Sequence, residues 1–197
     1  MSYDISNGNG IIFATSDANR SLDTGVAGST SLLARFMAPA ANPMGADPMS
    51  KVSGGDAKET FQSGYGSGDA YEGYQQFYGG GGNDTFKLRF KDFGSSADNG
   101  MGTSKYVADF HGAGGYSVPG ENDFIVFVGF SAGTHLSEAR DVTSAGNAAQ
   151  AGYGRLLQYT FLDAEGHALH AADGSALKLN VHSMDGAGLA AGDYLFT

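Results

Sequence analysis

The sequence predicts an all-β fold with few or no helices, either a sandwich or a short, irregular β-roll with glycine-rich turns. Short apolar or alternating segments recur along the chain, as expected for strands. The stretches between them are rich in the turn-forming residues glycine, aspartate and asparagine, and glycine alone contributes 32 of the 197 residues. A chain of this length forms one domain, or one domain with an arm, and can bury a substantial core.

The first part of the chain is predicted to be an N-terminal arm. Residues 10–15 (Gly-Ile-Ile-Phe-Ala-Thr) form a short apolar run after an Asn-Gly-Asn-Gly turn signal, which predicts a strand. Residues 29–37 fit either a short helix or a strand. Residues 38–50 contain three prolines and no periodicity, which predicts a linker. The chain is therefore divided into an arm with its linker at 1–50 and a β domain at 51–197.

The β domain is expected to consist of strands and turns. Residues 51–82 are rich in glycine, aspartate and tyrosine and are expected to form turns. Residues 85–90 alternate apolar and polar side chains, which predicts a half-buried strand. The nearly continuous apolar run at 123–130 predicts a central strand. The remaining assignments are strands at 156–162 and 176–181, a turn at 163–167, and a helix or loop at 137–151.

One glycine-rich segment has the pattern of a calcium-binding turn. Residues 79–86 read Gly-Gly-Gly-Gly-Asn-Asp-Thr-Phe and fit the pattern Gly-Gly-x-Gly-x-Asp-x-apolar. The glycines allow left-handed torsions that expose backbone carbonyls, and Asp84 adds a carboxylate. Oxygen ligands of this kind suit Ca²⁺, which takes about six to eight of them. Residues 54–61 repeat the same frame, and residues 64–71 repeat it more loosely.

Through these repeats the chain resembles the RTX family of calcium-binding β-roll proteins, which are exported by type I secretion systems. Residues 107–110 and 121–130 resemble the segment that follows the repeats in such proteins, and residues 188–197 resemble their ending. The resemblance covers about residues 54–197. It implies Ca²⁺ as the bound ion, with these candidate ligands: Glu59, Asp69, Gly79, Gly81, Asn83, Asp84, Asp109 and Asp123.

Each of these features also has a simpler interpretation. Glycine and aspartate are preferred in ordinary β-turns that bind no ion. The five histidines lack the glutamate or cysteine partners of a zinc site. Several aromatic residues between positions 65 and 78 fit either a sugar-stacking surface or the packed side of irregular strands; they are Tyr65, Tyr71, Tyr74, Phe77 and Tyr78.

Composition excludes several classes of protein. The formal net charge is −10, and only 11 lysines and arginines are scattered along the chain, so nucleic-acid binding is not expected. No apolar stretch is long enough to predict a membrane span. Residues 1–7 lack the basic and apolar regions of a secretory signal peptide, so the export signal is expected at the C-terminal end. The absence of cysteine fits an extracellular protein without disulfides.

The sequence carries no catalytic motif, so we do not expect an enzyme. We expect a secreted, calcium-dependent structural protein whose copies assemble into a filament, matrix or surface layer. The alternative is a secreted, calcium-dependent binding module, either lectin-like or a ligand-capturing adhesin. Expected partners are further copies of the chain, the type I secretion apparatus and a cell-surface polysaccharide. The strand at 10–15 is expected to pair either within its own sheet or with another subunit.

Overall fold

A computed structural model describes residues 12–15, 32–37, 50–56, 58–65, 75–93, 104–112, 121–144 and 154–197. These residues form β-strands and one turn of 3₁₀ helix at Phe90–Asp92, with no α-helix among them. The all-β fold class is therefore confirmed. The strands are β1 (Ile12–Thr15), β2 (Leu32–Met37), β3 (Ser50–Ser53), β4 (Glu59–Tyr65), β5 (Gln75–Tyr78), β6 (Thr85–Arg89), β7 (Ser104–Phe110), β8 (Phe124–Val128), β9 (His135–Leu136), β10 (Arg140–Asp141), β11 (Arg155–Leu162), β12 (Lys178–Ser183) and β13 (Tyr194–Phe196).

The described strands form two sheets. A six-stranded sheet has the order β1-β2-β4-β6-β8-β13, and all neighbouring strands in it are parallel. A seven-stranded sheet has the order β10-β11-β12-β7-β5-β3, with β9 also paired to β11. Its strands are parallel from β12 to β3, whereas β9, β10 and β12 all run antiparallel to β11. From β3 to β8 successive strands alternate between the two sheets, so the chain coils as a short β-roll.

The hydrophobic core lies between the two sheets and is built mainly from aromatic rings. Every second residue of β6 and β8 is buried, as expected for strands with one face on a core. Phe86 stacks on Phe61 with ring centroids 5.2 Å apart and meets Phe77 of the opposite sheet edge-on at 6.3 Å. Phe127 likewise meets Phe161 of the opposite sheet at 5.2 Å. These contacts hold the two sheets together across the core.

Most of the strands predicted from alternation or apolar runs are present. The predictions at 85–90, 123–130, 156–162 and 176–181 are confirmed as β6, β8, β11 and β12, with ends that differ by a few residues. The turn predicted at 163–167 is also confirmed, since the Gly166 N–H donates to the Asp163 carbonyl at 3.1 Å.

The prediction of turns throughout residues 51–82 is wrong, because this segment contains most of β3 and all of β4 and β5. The reason is visible in β5. Its two inward positions are Gln75 and Phe77, and both are fully buried. A polar glutamine at a core position hid the alternation that would have predicted a strand. Residues 137–144 contain β10 and no helix, and residues 145–151 lie outside the described residues.

The two described strands of the predicted arm belong to the six-stranded sheet. The ambiguous segment at 29–37 contains strand β2, and the predicted strand at 10–15 contains β1. β1 pairs with β2, and β2 pairs with β4, so within this structure β1 completes its own sheet. Residues 38–49 of the predicted linker lie outside the described residues. The division at residue 50 stays a prediction.

Replacing Phe86 with alanine should lower the free energy of unfolding by about 3–5 kcal/mol, because the ring is fully buried against two other rings. The matched control is Phe90→Ala, since Phe90 is 41% exposed and its loss should cost less than about 1 kcal/mol. Urea denaturation followed by tyrosine fluorescence measures both. Equal losses for the two variants would contradict the core described above.

Candidate functional site

Three acidic residues occupy equivalent positions where the chain passes from the seven-stranded to the six-stranded sheet. The register pairs Thr60 with Thr85, and Thr85 with Phe124. The residues immediately before these three are Glu59, Asp84 and Asp123, so they lie at one level on neighbouring parallel strands. We call these three residues the acidic row. All three are buried, although acidic side chains are seldom buried without a compensating partner.

Hydrogen bonds from the backbone connect the members of the acidic row. The Glu59 N–H donates to Asp84 Oδ1 at 2.7 Å, and the Asp84 N–H donates to Asp123 Oδ1 at 2.9 Å. Asp123 Oδ2 accepts from the His111 N–H at 2.9 Å. Each aspartate of the row therefore holds the preceding turn of the roll in register. These hydrogen bonds favour the ionised form of the carboxylates. Burial disfavours the same form and offsets part of that stabilisation.

The tetraglycine turn at residues 79–82 brings two further acids to this edge. Gly79 and Gly80 donate their N–H groups to the two carboxylate oxygens of Asp109, at 2.7 and 2.9 Å. The Gly82 N–H donates to Glu121 Oε1 at 2.9 Å. Gly80 and Gly82 have φ values of +85° and +110°, a conformation that glycine adopts without strain. In this structure the turn therefore binds carboxylates through its N–H groups.

Asp84 is the most perturbed member of the acidic row. Burial raises its pKa to about 9, and the charges of Asp123, Glu59 and Asp109 act in the same direction. Its Oδ2 atom is buried and has no hydrogen-bond partner among the described residues. A side chain at Gly79 would overlap this oxygen, which explains why glycine is needed there. An uncompensated buried carboxylate of this kind is costly when it is charged.

The neighbouring acids are perturbed in the same direction. Burial raises the pKa of Asp123 to about 7, and the charges of Asp109 and Glu121 add to the effect. Burial also raises the pKa of Glu59, although hydrogen bonds with the Gly55 N–H and the Asp84 side chain oppose the rise. It raises the pKa of Asp109 as well, although the N–H groups of the tetraglycine turn oppose the rise. The whole cluster is therefore short of positive charge.

A buried acid elsewhere in the roll shows how this chain satisfies such a group. Asp92, which is also fully buried, accepts from Ser63 Oγ at 2.5 Å. It accepts from Arg89 Nε at 2.6 Å and from Arg89 Nη2 at 2.9 Å. No lysine or arginine of the described residues lies within ion-pair distance of the acidic row in the same way. The acidic row thus lacks the cation that Asp92 has.

Sequence reasoning missed three residues that the structure places at this edge. His111 Nε2 lies 3.5 Å from Glu121 Oε2, and His111 Nδ1 lies 3.8 Å from Asp123 Oδ2. Asp193 precedes β13 at the next turn of the roll, and its carbonyl accepts from the Ile125 N–H at 2.9 Å. Only the position of Glu121 and Asp193 just ahead of apolar segments could have indicated them. His111 carried no such signal in the sequence.

The donor types suit a cation that prefers oxygen, but the donors do not converge on one point in this structure. In the part of the chain that is described, no group of three or more histidine, cysteine, aspartate or glutamate side chains is arranged to hold a metal ion. Among the predicted ligands, Glu59, Asp84, Asp109, Asp123 and Gly79 lie together. Gly81 donates its N–H to the Gly55 carbonyl at 2.7 Å.

Of the two remaining predicted ligands, one lies away from this cluster and the other is not described. Asn83 is exposed, and its Oδ1 accepts from the Asn122 N–H at 2.7 Å. Asp69 lies outside the described residues.

Comparison with known proteins finds no matching protein-family model, no similar curated protein and no similar solved structure. Among the described residues, no helix has the length and apolar character needed to cross a membrane. The function must therefore be inferred from the acidic row and from the surfaces of the two sheets.

Without divalent cations, the protein should become less stable as the pH rises from about 4 to about 9. The folded state binds the Asp84 proton with a pKa of about 9, whereas the ordinary value of 3.8 applies to the unfolded chain. Because the folded state holds more protons across this range, raising the pH favours unfolding. Urea denaturation of metal-stripped protein at pH 5, 7 and 9 measures the trend. Asp84→Asn should flatten it, and an unchanged slope in that variant would contradict the assignment.

Proposed function

We propose that this chain is a secreted, calcium-dependent structural protein whose copies assemble outside the cell. The single observation that carries the proposal is the buried Asp84 carboxylate, which is surrounded by other acids and has no cationic partner among the described residues. A divalent cation would supply the missing charge. The proposal assigns no catalytic activity to the chain.

Calcium is the cation that suits the available donors. The possible ion ligands in the acidic row and the tetraglycine turn are carboxylate and carbonyl oxygens, which Ca²⁺ prefers. The residues that would hold the ion are Asp84, through its unpaired Oδ2 atom, together with Glu59 and the carbonyls of the glycine-rich turns at 54–55 and 79–82. Bound Ca²⁺ would supply positive charge and tie successive turns of the roll together. Zinc is less suitable because the cluster contains no thiolate and only one histidine.

Secretion follows from combining this dependence on calcium with the resemblance to the RTX family. Where calcium is scarce, as in the cytosol, repulsion within the acidic row and among the net −10 charges would disfavour folding. Where calcium is abundant, its binding free energy would become folding free energy. The chain would thus stay exportable inside the cell and fold outside. Type I secretion is the export route that the resemblance implies.

The outer surface of the six-stranded sheet supports assembly. On β6 the outward residues are polar, namely Thr85, Lys87 and Arg89. On the neighbouring β8 they are Phe124, Val126 and Val128, and all three are partly exposed. The adjacent Leu195 of β13 pairs with Val126 and is 51% exposed. Apolar residues gathered on one part of a solvent-facing sheet are typical of a contact surface, and we infer that a second copy covers it.

Calcium should stabilise the wild-type protein by roughly 2.7 kcal/mol per site at about a hundredfold excess over Kd. Asp84→Asn should lose most of that gain, because the amide keeps an acceptor for the Glu59 N–H but carries no charge. The control is Glu138→Gln, which removes one charge from an exposed position. Thermal denaturation with calcium and with chelator measures the effect. Equal calcium stabilisation of wild type and Asp84→Asn would refute the site.

Assembly should weaken at least about tenfold in the double variant Val126→Thr, Leu195→Lys, because burying one leucine side chain is worth about 1.5–3 kcal/mol. Gln62→Lys is the matched control on the polar half of the same sheet face, where a charge should have little effect. Sedimentation velocity and electron microscopy in calcium measure the outcome. A wild-type protein that stays monomeric in calcium would favour the alternative, a binding module.

A further inference from the structure

The outer face of the seven-stranded sheet carries a continuous row of polar side chains. Strand register aligns Arg140 with Gln158, Gln158 with Asn180, Asn180 with Tyr106, and Tyr106 with Gln76. These five residues, which we call the polar row, cross five adjacent strands. Neighbouring strands lie about 4.8 Å apart, so the row extends over roughly 19 Å. That is the length of a short oligosaccharide in an extended conformation.

The side chains of the polar row point away from the core. In each of the other four strands a residue adjacent in sequence to the row is an inward one that is buried; these residues are Leu157, Leu179, Val107 and Phe77. Successive strand residues face opposite sides of a sheet, so Gln158, Asn180, Tyr106 and Gln76 face outward. All four are partly exposed. The row therefore presents two carboxamide side chains, a phenol ring and a further carboxamide in sequence across the outer face of the sheet.

Hydrogen bonds within this face fix the orientation of the amides. Gln158 Nε2 donates to Asn180 Oδ1 at 2.9 Å, and the Tyr78 hydroxyl donates to Gln76 Oε1 at 3.2 Å. The first bond leaves the Gln158 carbonyl oxygen and the Asn180 amino group directed to other partners. Sugar hydroxyl groups, which both donate and accept, are suited to such an arrangement.

Two cationic side chains lie beside the amides of the polar row, although the whole molecule is acidic. The chain carries a formal charge of −10. The outward residues of β10, β11, β12 and β5 include Arg140 and Lys178 and no aspartate or glutamate. The exposed Asp141 beside Arg140 is paired with Arg155 at 2.7 Å, and Asp109 of β7 accepts hydrogen bonds from Gly79 and Gly80. Lys178 lies two residues before Asn180 on the same strand, so it stands beside the row. A partner that bears carboxylates complements this face and is repelled by most of the rest of the protein.

We propose that the polar row binds an extended acidic polysaccharide, one that contains uronate units. The amides of Gln158, Asn180 and Gln76 hydrogen-bond its hydroxyls, the ring of Tyr106 stacks on a sugar face, and Arg140 and Lys178 pair with its carboxylates. The run of amides flanked by cations fits a glycan better than a protein partner, whose interface would need a central apolar anchor. This inference goes beyond the proposed assembly and uses the other sheet.

Affinity electrophoresis with hyaluronan tests the proposal, since this uronate polysaccharide stays soluble in calcium. Hyaluronan in the gel should retard the wild-type protein, and neutral dextran should not. Gln158→Ala combined with Asn180→Ala should weaken binding about tenfold, because two hydrogen bonds to the sugar are lost. Arg140→Ala combined with Lys178→Ala should abolish the retardation and its dependence on salt.

The matched control is Gln62→Ala combined with Lys87→Ala, which removes an amide and a cation from the other sheet face. It should bind hyaluronan like the wild type. Circular dichroism confirms that each variant is folded. Absence of retardation, equal retardation by dextran, or equal weakening by the control pair would overturn the proposal. Every variant keeps the apolar surface at Val126 and Leu195. Differences in retardation between the variants therefore do not come from differences in assembly.

Discussion

The burial of the acidic row has a large effect on the stability of this protein. Parallel strands stack successive turns of the roll directly on one another, so an acid placed before one strand is brought beside the acid placed before the next. Glu59, Asp84 and Asp123 are joined in this way by backbone hydrogen bonds that also set the register of their strands. The same contacts that organise the fold therefore concentrate negative charge that the described residues do not neutralise.

The remaining features of the molecule can be related to this excess of acidic over basic groups at the acidic row. Asp92, with Arg89 and Ser63, shows that the chain can bury an acid with its own cation. Among the described residues no lysine or arginine pairs with the acidic row in this way, so we expect the stability of the roll to depend on cations and protons from its surroundings. The two sheets present different outer faces, one with an apolar band and one polar and locally cationic. A folded roll would thus have one surface for binding further copies of the chain and another for binding a charged polysaccharide.

Sequence reasoning predicted the parts of this structure that depend on local pattern. β6, β8, β11 and β12 are revealed by alternation or by apolar runs. β5 was not recognised, because its core position Gln75 is polar and only the surrounding sheet buries it. The glycine-rich pattern indicated Asp84, but the grouping of Glu59, Asp109 and Asp123 around it depends on strand register. The role of the glycine N–H groups in binding Asp109 also differs from the expected use of carbonyls, because torsion angles cannot be read from composition.

Proton release on calcium binding is the most direct measurement of the central claim. At pH 7.5 the folded, metal-free protein should hold a proton on Asp84, since burial raises its pKa to about 9. Calcium would displace that proton as it binds. Isothermal titration calorimetry in buffers of different ionisation enthalpy gives the number of protons released. We expect about one proton per ion bound at the acidic row, and less in Asp84→Asn. Calcium binding without proton release, or no binding at all, would contradict the account.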